Sequence, residues 1–280
     1  MKQIGSGKVR EIFELPKNRL LLVATDRISA YDVVFPTPIP GKGKILTQIS
    51  KFWFHQISFM KHHWREEEET KEFWNSLKEA DWLTEEWRKE ADLPNRSMLV
   101  EKGKVIPFEC IVRGYAFGSY LKHHPEVAPM TPFSPPLFTP TTKAVEGHDE
   151  KVDFEVMEKE LGSSLAHAVR QASLELFEFG KYIARSKGLV LVDTKFEFAL
   201  DPDGKLMLID EIFTPDSSRY FLKEDIEKGK MDSSMDKQYF RQYLDSVGFH
   251  DGVPPMEIPE EVVKEIQRRY QMVYHRLTSS

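Results

Sequence analysis

The sequence predicts an α+β fold, and three observations carry that prediction. Strand-like and helix-like stretches are mixed without the repeating βαβ succession that builds a parallel sheet. Two hairpins can be read, one at residues 9–24 and one at residues 189–213. Several stretches carry apolar residues at helical spacing. With 280 residues, 40% hydrophobic and 30% charged, the chain is an ordinary globular protein long enough to bury a substantial core.

In chain order, Val9, Phe13 and Leu15 alternate along one face, Pro16-Lys17-Asn18 turns, and Leu20–Ala24 reads as a buried strand. Pro36, Pro38 and Pro40 forbid a helix after the loop at residues 26–32. Ile45, Ile49, Phe52, Trp53, Ile57 and Met60 then mark an amphipathic helix. The charged segment opened by Glu66–Glu69 contains Phe73, Trp74, Leu77, Trp82 and Trp87, and is expected to be a solvated helix face with the aromatics packed beneath it. Residues 98–115 are strand-like, and the Pro-rich stretch 125–140 is expected to be loop. A helix follows, with Leu161, Leu165, Ala168, Ala172, Leu176, Phe179 and Ile183 on one stripe and Gly188 at its stop. Strand 189–200, turn 201–204 and strand 205–213 form the second hairpin. Two helices close the chain, one near Phe240–Val247 and one from Pro259.

The net charge of −6 argues against a nucleic-acid-coating protein, because phosphate binding requires a basic surface. One cysteine, Cys110, excludes an intrachain disulfide and a Cys-based zinc site, and its apolar neighbours assign it to packing. The N-terminus has no apolar signal segment and no stretch is long enough to span a bilayer, so a cytoplasmic location without membrane partners is expected. His148 and the pairs His62-His63 and His123-His124 are expected at the surface rather than as metal ligands. Nothing in the sequence sets an oligomeric state.

The strongest chemical signal lies in residues 192–198. Strand alternation puts Asp193, Lys195 and Glu197 on one face, and the turn at 201–204 folds Asp210 back towards them. Three carboxylates gathered around one lysine are costly without a further cation, and Mg²⁺ suits hard oxygen ligands of this kind. The competing account is a solvated strand face. Gly5-Ser6-Gly7-Lys8 is not a Walker loop, since Val9 follows the lysine; a Gly-rich turn entering a hairpin can instead cover nucleotide phosphates. Arg113 to Ser119 combines a forked donor for carboxylate or phosphate with two glycines that would let backbone approach a ligand. Thr214 to Arg219 would bring two hydroxyls and an arginine near the acidic cluster, unless Asp216 or Ser217 caps a helix. Lys143 lies in a Thr-rich loop.

Taken together in order, Gly7–Phe13, Ala24–Asp32, Gly43–Gln48, Glu109–Gly114 through Ser119, Phe138–Lys143, Asp193–Phe198 and Asp210 through Arg219 resemble the phosphoribosylaminoimidazole-succinocarboxamide synthase (SAICAR synthetase) family. The resemblance runs to about residue 245. Glu11 stands where the family has Asp, and the segment 65–92 matches no family stretch. The resemblance implies an N-terminal sheet-based, kinase-like lobe over 1–110, a larger α+β lobe over 111–280, and ATP between them. It implies an ATP-dependent ligase joining carboxyaminoimidazole ribonucleotide (CAIR) to L-aspartate, with ATP and Mg²⁺ required. Gly7, Lys8 and Lys143 would meet ATP, Glu197 and Asp210 would hold Mg²⁺ and ATP, and Asp193 and Lys195 would stand at the reacting end. Arg113, Ser119, Asp216, Ser217, Ser218 and Arg219 would bind the substrate, with Ser29 and Asp32 at its border. The same ATP site would also serve a small-molecule kinase, and a nucleotide-binding module without turnover is the other competing function.

Overall fold

The computed structural model describes residues 2–80, 83–90, 92–143, 150–230, 233–250 and 253–279; Trp82 and His148 lie outside them. The chain opens with β1 (Lys2–Ser6), β2 (Arg10–Leu15) and β3 (Arg19–Ala24), followed by the two-residue strands β4 (Ser29–Ala30) and β5 (Val33–Val34). After α1 (Lys42–Gln56) come a 3-10 turn at Glu66–Glu68, α2 (Lys71–Lys78), α3 (Glu85–Lys89) and α4 (Leu93–Arg96), then β6 (Ser97–Glu101). These strands make an antiparallel sheet of order β1-β2-β3-β6.

A second sheet takes β7 (Lys104–Val105), β8 (Phe108–Tyr115) and, beyond α5 (Ser119–His123), β9 (Pro132–Thr142). Two helices, α6 (Phe154–Leu161) and α7 (Ser163–Ser186), lead to β10 (Leu189–Leu200), β11 (Leu206–Ile209) and β12 (Ser218–Leu222). The described chain closes with α8 (Lys223–Glu227), α9 (Gln238–Ser246) and α10 (Glu260–Thr278). The expected α+β class holds, with both sheets antiparallel. The expected division at 110/111 falls inside β8, because the chain changes sheets between Glu101 and Lys104. Among the described residues no helix is long and apolar enough to cross a membrane.

The central strand is β10. On one edge it pairs with β8 through residues 193–196 and with β7 through 199–200. On the other edge two short strands share it: β12 covers 189–194 and β11 covers 197–200. Between them, opposite Lys195 and Phe196, the chain makes an excursion from Asp210 to Ser217, tied back where Lys195 N–H donates to Ser217 O at 2.9 Å. This split edge opens the sheet at the residues whose alternation marked them in the sequence.

Three expectations need correction. Residues 132–142 are strand rather than loop, because β9 is an edge strand, where prolines can face outward without breaking a ladder. The long helix breaks at Gly162, and its buried face runs through Ala166, Val169, Ser173, Leu176, Phe177, Gly180 and Ala184. Of the expected stripe, Leu176 lies on that face, while Leu165, Phe179 and Ile183 flank it half-buried. Small residues lie beneath because the chain between β11 and β12 sits close: a Cβ on Gly180 would overlap the Phe213 ring. Third, His63 is buried and His62 half-buried, both packed against Phe54, while His123 and His124 are exposed as expected.

The charged segment behaves as its aromatics suggest. Leu77, Leu83 and Trp87, with Phe73 and Trp74 at the margin, pack on Phe13, Leu15, Leu21, Val23 and Leu99 and cover one face of the first sheet. Leu22, Met98 and Val100 on the opposite face join α1 and the second sheet through Ile49, Trp53 and Phe54 in the main core.

Candidate active site

A cleft of about 580 Å³ lies between the two sheets. Every residue to which the resemblance gives a role lines it: Gly7, Lys8, Ser29, Asp32, Arg113, Ser119, Lys143, Asp193, Lys195, Glu197, Asp210, Asp216, Ser217, Ser218 and Arg219. Gly7 and Lys8 enter from the β1–β2 turn, where Gly7 N–H donates to Arg10 O at 2.7 Å. Arg27 braces that turn by donating to Gly7 O at 2.9 Å and Lys8 O at 3.1 Å. Lys8 pairs with Asp32 across the mouth of the cleft.

Lys195 stands at the centre. Its Nζ donates to Glu197 and lies 3.3 Å from Glu109 and 3.4 Å from Asp210. Lys143 also pairs with Glu197. Burial opposes the charge on Lys195, but Glu197, Asp210 and Glu109 outweigh it and hold the ammonium well above its usual range. Asp210 is the converse case. Burial would raise its pKa, yet Arg10, Lys195 and Lys143 keep it ionised well below the usual carboxylate range.

Arg10 comes from β2 and pairs with both Asp210 and, at 2.8 Å, Glu211. Burial opposes this charge too, and the carboxylates around it win, led by Asp210. Asp210 itself has φ 65°, a left-handed conformation uncommon for a residue with a side chain. His63 Nε2 lies 3.1 Å from Asp210 O, where a ring N–H can satisfy the turned carbonyl. Burial pulls the pKa of His63 down to about 3, so this histidine is neutral.

Asp193 does not join the Lys195 cluster as its place on the strand face suggested. Its Oδ2 accepts from Arg219 at 2.7 Å and from Arg113 at 3.3 Å. Arg113 also donates to Thr139 Oγ1 at 3.1 Å and Ser119 Oγ at 3.4 Å, so one end of the cleft is an arginine pair around a carboxylate. Gly114 and Gly118 serve the protein rather than a ligand: a Cβ would overlap Phe177 at the first and the Arg219 guanidinium at the second. Residues 218–222 are strand, so Asp216 and Ser217 cap no helix. Ser218 Oγ pairs with Thr194 Oγ1 at 2.7 Å, beneath the surface. Asp216 is buried against Lys42 at 2.7 Å and the Tyr270 hydroxyl at 2.6 Å.

Arg10, Glu109 and Glu211 belong to this site, although the sequence assigns them no role. All three lie inside stretches that carry the family resemblance, and only the approach of the two sheets brings Arg10 to Asp210 and Glu211. Lys42, His63 and Lys237 support the site from elsewhere in the chain, and no local spacing signals them.

The donor set suits a hard divalent cation. Among the described residues no three His, Cys, Asp or Glu side chains gather closely enough to hold a metal by themselves. Mg²⁺ commonly takes only one or two carboxylates and fills its shell with water and substrate phosphates. Glu197 and Asp210, facing one cleft and both reaching the same ammonium, offer such a pair.

A family model described as SAICAR synthetase matches residues 3–254. The phosphoribosylaminoimidazole-succinocarboxamide synthase of Corynebacterium urealyticum is 42% identical, over 99% of this chain and 93% of the relative. That of Thermodesulfovibrio yellowstonii is 40% identical, over 100% of this chain and 96% of the relative. Among solved structures, the SAICAR synthase of Saccharomyces cerevisiae complexed with SAICAR superposes with a TM-score of 0.84 at 34% identity, over 99% of this chain and 95% of that one. A SAICAR synthetase in complex with ADP shares the fold, with a TM-score of 0.73 at 22% identity, over 99% and 97% of the two chains. The match spans both sheets and the cleft between them, and the chain belongs to the SAICAR synthetase family.

Proposed function

We propose that this cleft uses ATP to join the carboxylate of CAIR to the amine of L-aspartate, releasing ADP and phosphate. The observation that carries the assignment of roles is the arrangement along the cleft: Lys195 among Glu109, Glu197 and Asp210 at one part, and Arg113 and Arg219 around Asp193 at another. The first suits a triphosphate with its cation. The second suits an anionic ribonucleotide, because guanidinium forks match phosphate and carboxylate oxygens. That the yeast relative is complexed with SAICAR supports an imidazole ribonucleotide as ligand.

A carboxylate is a poor electrophile because its leaving group would be oxide. Transfer of the γ-phosphoryl group to a carboxylate oxygen gives an acyl phosphate, and the amine of aspartate then displaces phosphate. Lys195 and Lys143 neutralise charge on the phosphoryl oxygens, a task of positioning and electrostatics rather than covalent chemistry. Lys8 and the Gly7 turn hold the phosphates from the first sheet. Ser119 and the Ser217–Arg219 loop support the ribonucleotide, Ser29 and Asp32 border it, and Asp216 anchors the loop through Lys42. Glu197 and Asp210 would hold Mg²⁺, which supplies charge neutralisation at the transferred group. The two sheets with their helices act as lobes, and their closure around the cleft keeps water from the acyl phosphate.

The test is a coupled assay. ADP and inorganic phosphate should appear together, and only when ATP, CAIR and aspartate are all present. ADP formation without aspartate, with phosphate kept on the acceptor, would establish a kinase; nucleotide binding without turnover would establish a passive module.

A further inference from the structure

His63 is not part of the cleft lining, yet it reaches a residue that is. Its backbone is held from two sides. His63 N–H donates to Leu208 O at 3.0 Å, and His63 O accepts from Glu101 N–H at 2.7 Å. Leu208 N–H in turn donates to Lys61 O at 3.0 Å, so residues 61–63 run parallel to β11 at Leu208. Glu101 ends β6, which ties the same residue to the first sheet. The ring packs against Phe54 with centroids 5.4 Å apart and is buried. From this fixed place Nε2 lies 3.1 Å from Asp210 O. A carbonyl oxygen only accepts, so the contact requires the hydrogen on Nε2.

Asp210 is the first residue past β11 and has φ 65°. A residue with a side chain stays in this left-handed region where its surroundings hold it there. Here the conformation sends the carbonyl towards His63 and the carboxylate towards Arg10 and Lys195. Without a donor at Nε2 the carbonyl would lose its partner inside the protein, which is costly. Turning the peptide to find another would swing the carboxylate away from the cleft.

We propose that His63 is a positioning residue, whose Nε2–H holds the Asp210 carbonyl and so aims the Asp210 carboxylate at the cation that accompanies the nucleotide. The proposal deepens the synthetase reading and rests on its assignment of Asp210 to Mg²⁺. His63 touches neither substrate nor metal, and acts through Asp210 alone.

Two measurements on the full chain test this. The first is the ¹⁵N spectrum of histidine-labelled protein without metal or nucleotide, with the His63 signals identified by their loss in His63→Gln. The hydrogen should sit on Nε2; a ring with Nδ1–H and a bare Nε2 would overturn the proposal. The second is calorimetry of Mg²⁺ binding in the presence of ADP. His63→Leu should raise the dissociation constant about fivefold or more. His63→Gln should recover most of the loss, because its amide N–H reaches about as far as Nε2. On an Asp210→Asn background the leucine substitution should add less than about twofold, since no charge is left to aim. An unchanged dissociation constant in a folded His63→Leu protein would overturn the proposal. So would an equal loss on both backgrounds, which would mean that His63 acts independently of Asp210. If His63→Leu fails to fold, as a thermal melt would show, His63→Asn takes its place, because its shorter amide falls short of the carbonyl. A wild type that binds Mg²⁺ no better than Asp210→Asn would sink the metal assignment itself, and the proposal with it.

Discussion

Lys195 and Asp210 act on each other before either acts on a substrate. With three carboxylates around it, Lys195 is held charged well above the usual lysine range although burial opposes the charge, so it serves as a fixed electrostatic group rather than a proton carrier. Lys195→Ala is therefore expected to lower kcat by at least about 10³-fold, the scale of losing one preorganised charge in a water-poor site. Its melting temperature should stay close to that of the wild type, because removing the lysine leaves Arg10 and Lys143 to hold the carboxylates. Near-normal turnover would remove Lys195 from the mechanism. Asp210→Asn tests the metal assignment separately. It keeps the shape and removes the charge, so the Mg²⁺ concentration for half-maximal rate should rise about tenfold or more. A superimposable metal titration would leave Glu197 as the only supported ligand. Asp193, Lys195 and Glu197 are legible as one face because strand alternation is local. That Asp193 is taken by two arginines is not, because Arg113 and Arg219 reach it from neighbouring strands.

At the scale of elements, the site depends on how β10 shares one edge between β11 and β12. The excursion from Asp210 to Ser217 is pinned in the middle by Phe213, which has φ 53° and packs between Trp53 and Phe196 beneath α7. Gly180 is the residue of α7 that admits the ring. Gly180→Val should cost about 2–3 kcal/mol through overpacking and should lower kcat as well, since moving Phe213 moves Asp210 and Asp216. Denaturant unfolding checks the first part, with the midpoint falling and the slope unchanged. Lys181→Ala, one residue along on the exposed side of the helix, should stay within about 0.5 kcal/mol of wild type. Both hairpins and the long helices are readable from period and turn chemistry. The split edge is not, because nothing in residues 205–222 says that two short strands share one partner. The Pro-rich strand β9 misleads for a related reason: its prolines are tolerated because it is the edge strand of its sheet among the described residues. Small residues on the buried face of α7 also mislead, because hydrophobicity ranks Leu165 and Phe179 above Ala166 and Gly180 although backbone approach requires the reverse.

For the molecule as a whole, bringing the two sheets together gathers charges that the unfolded chain keeps hydrated, and stability must carry that cost as a function of pH. Lys237 shows it most directly. Burial pulls its pKa down to about 8, against the attraction of Asp216 and with repulsion from Lys42, whereas the unfolded chain holds the proton up to about 10.4. The folded state is therefore destabilised by about 3 kcal/mol, since each pH unit between the two values is worth roughly 1.4 kcal/mol. The penalty is fully present below about pH 8. It disappears as pH rises towards about 10.4, because in that window the unfolded state binds the extra proton. Asp236 works in the opposite sense lower on the scale. Burial raises its pKa to about 6, so its contribution is complete below about pH 4 and is lost as pH rises through 6. Urea unfolding of the wild type and of Lys237→Met at pH 7, 8, 9 and 10 separates Lys237 from the rest. The variant should be the more stable protein at pH 7, and its advantage should shrink steadily to pH 10. A constant difference would mean that Lys237 titrates like an exposed lysine and that its amino group is hydrated. A shrinking one would mean that the fold holds a charged group ready, at a standing loss of stability, where an anion arriving in the cleft can offset it.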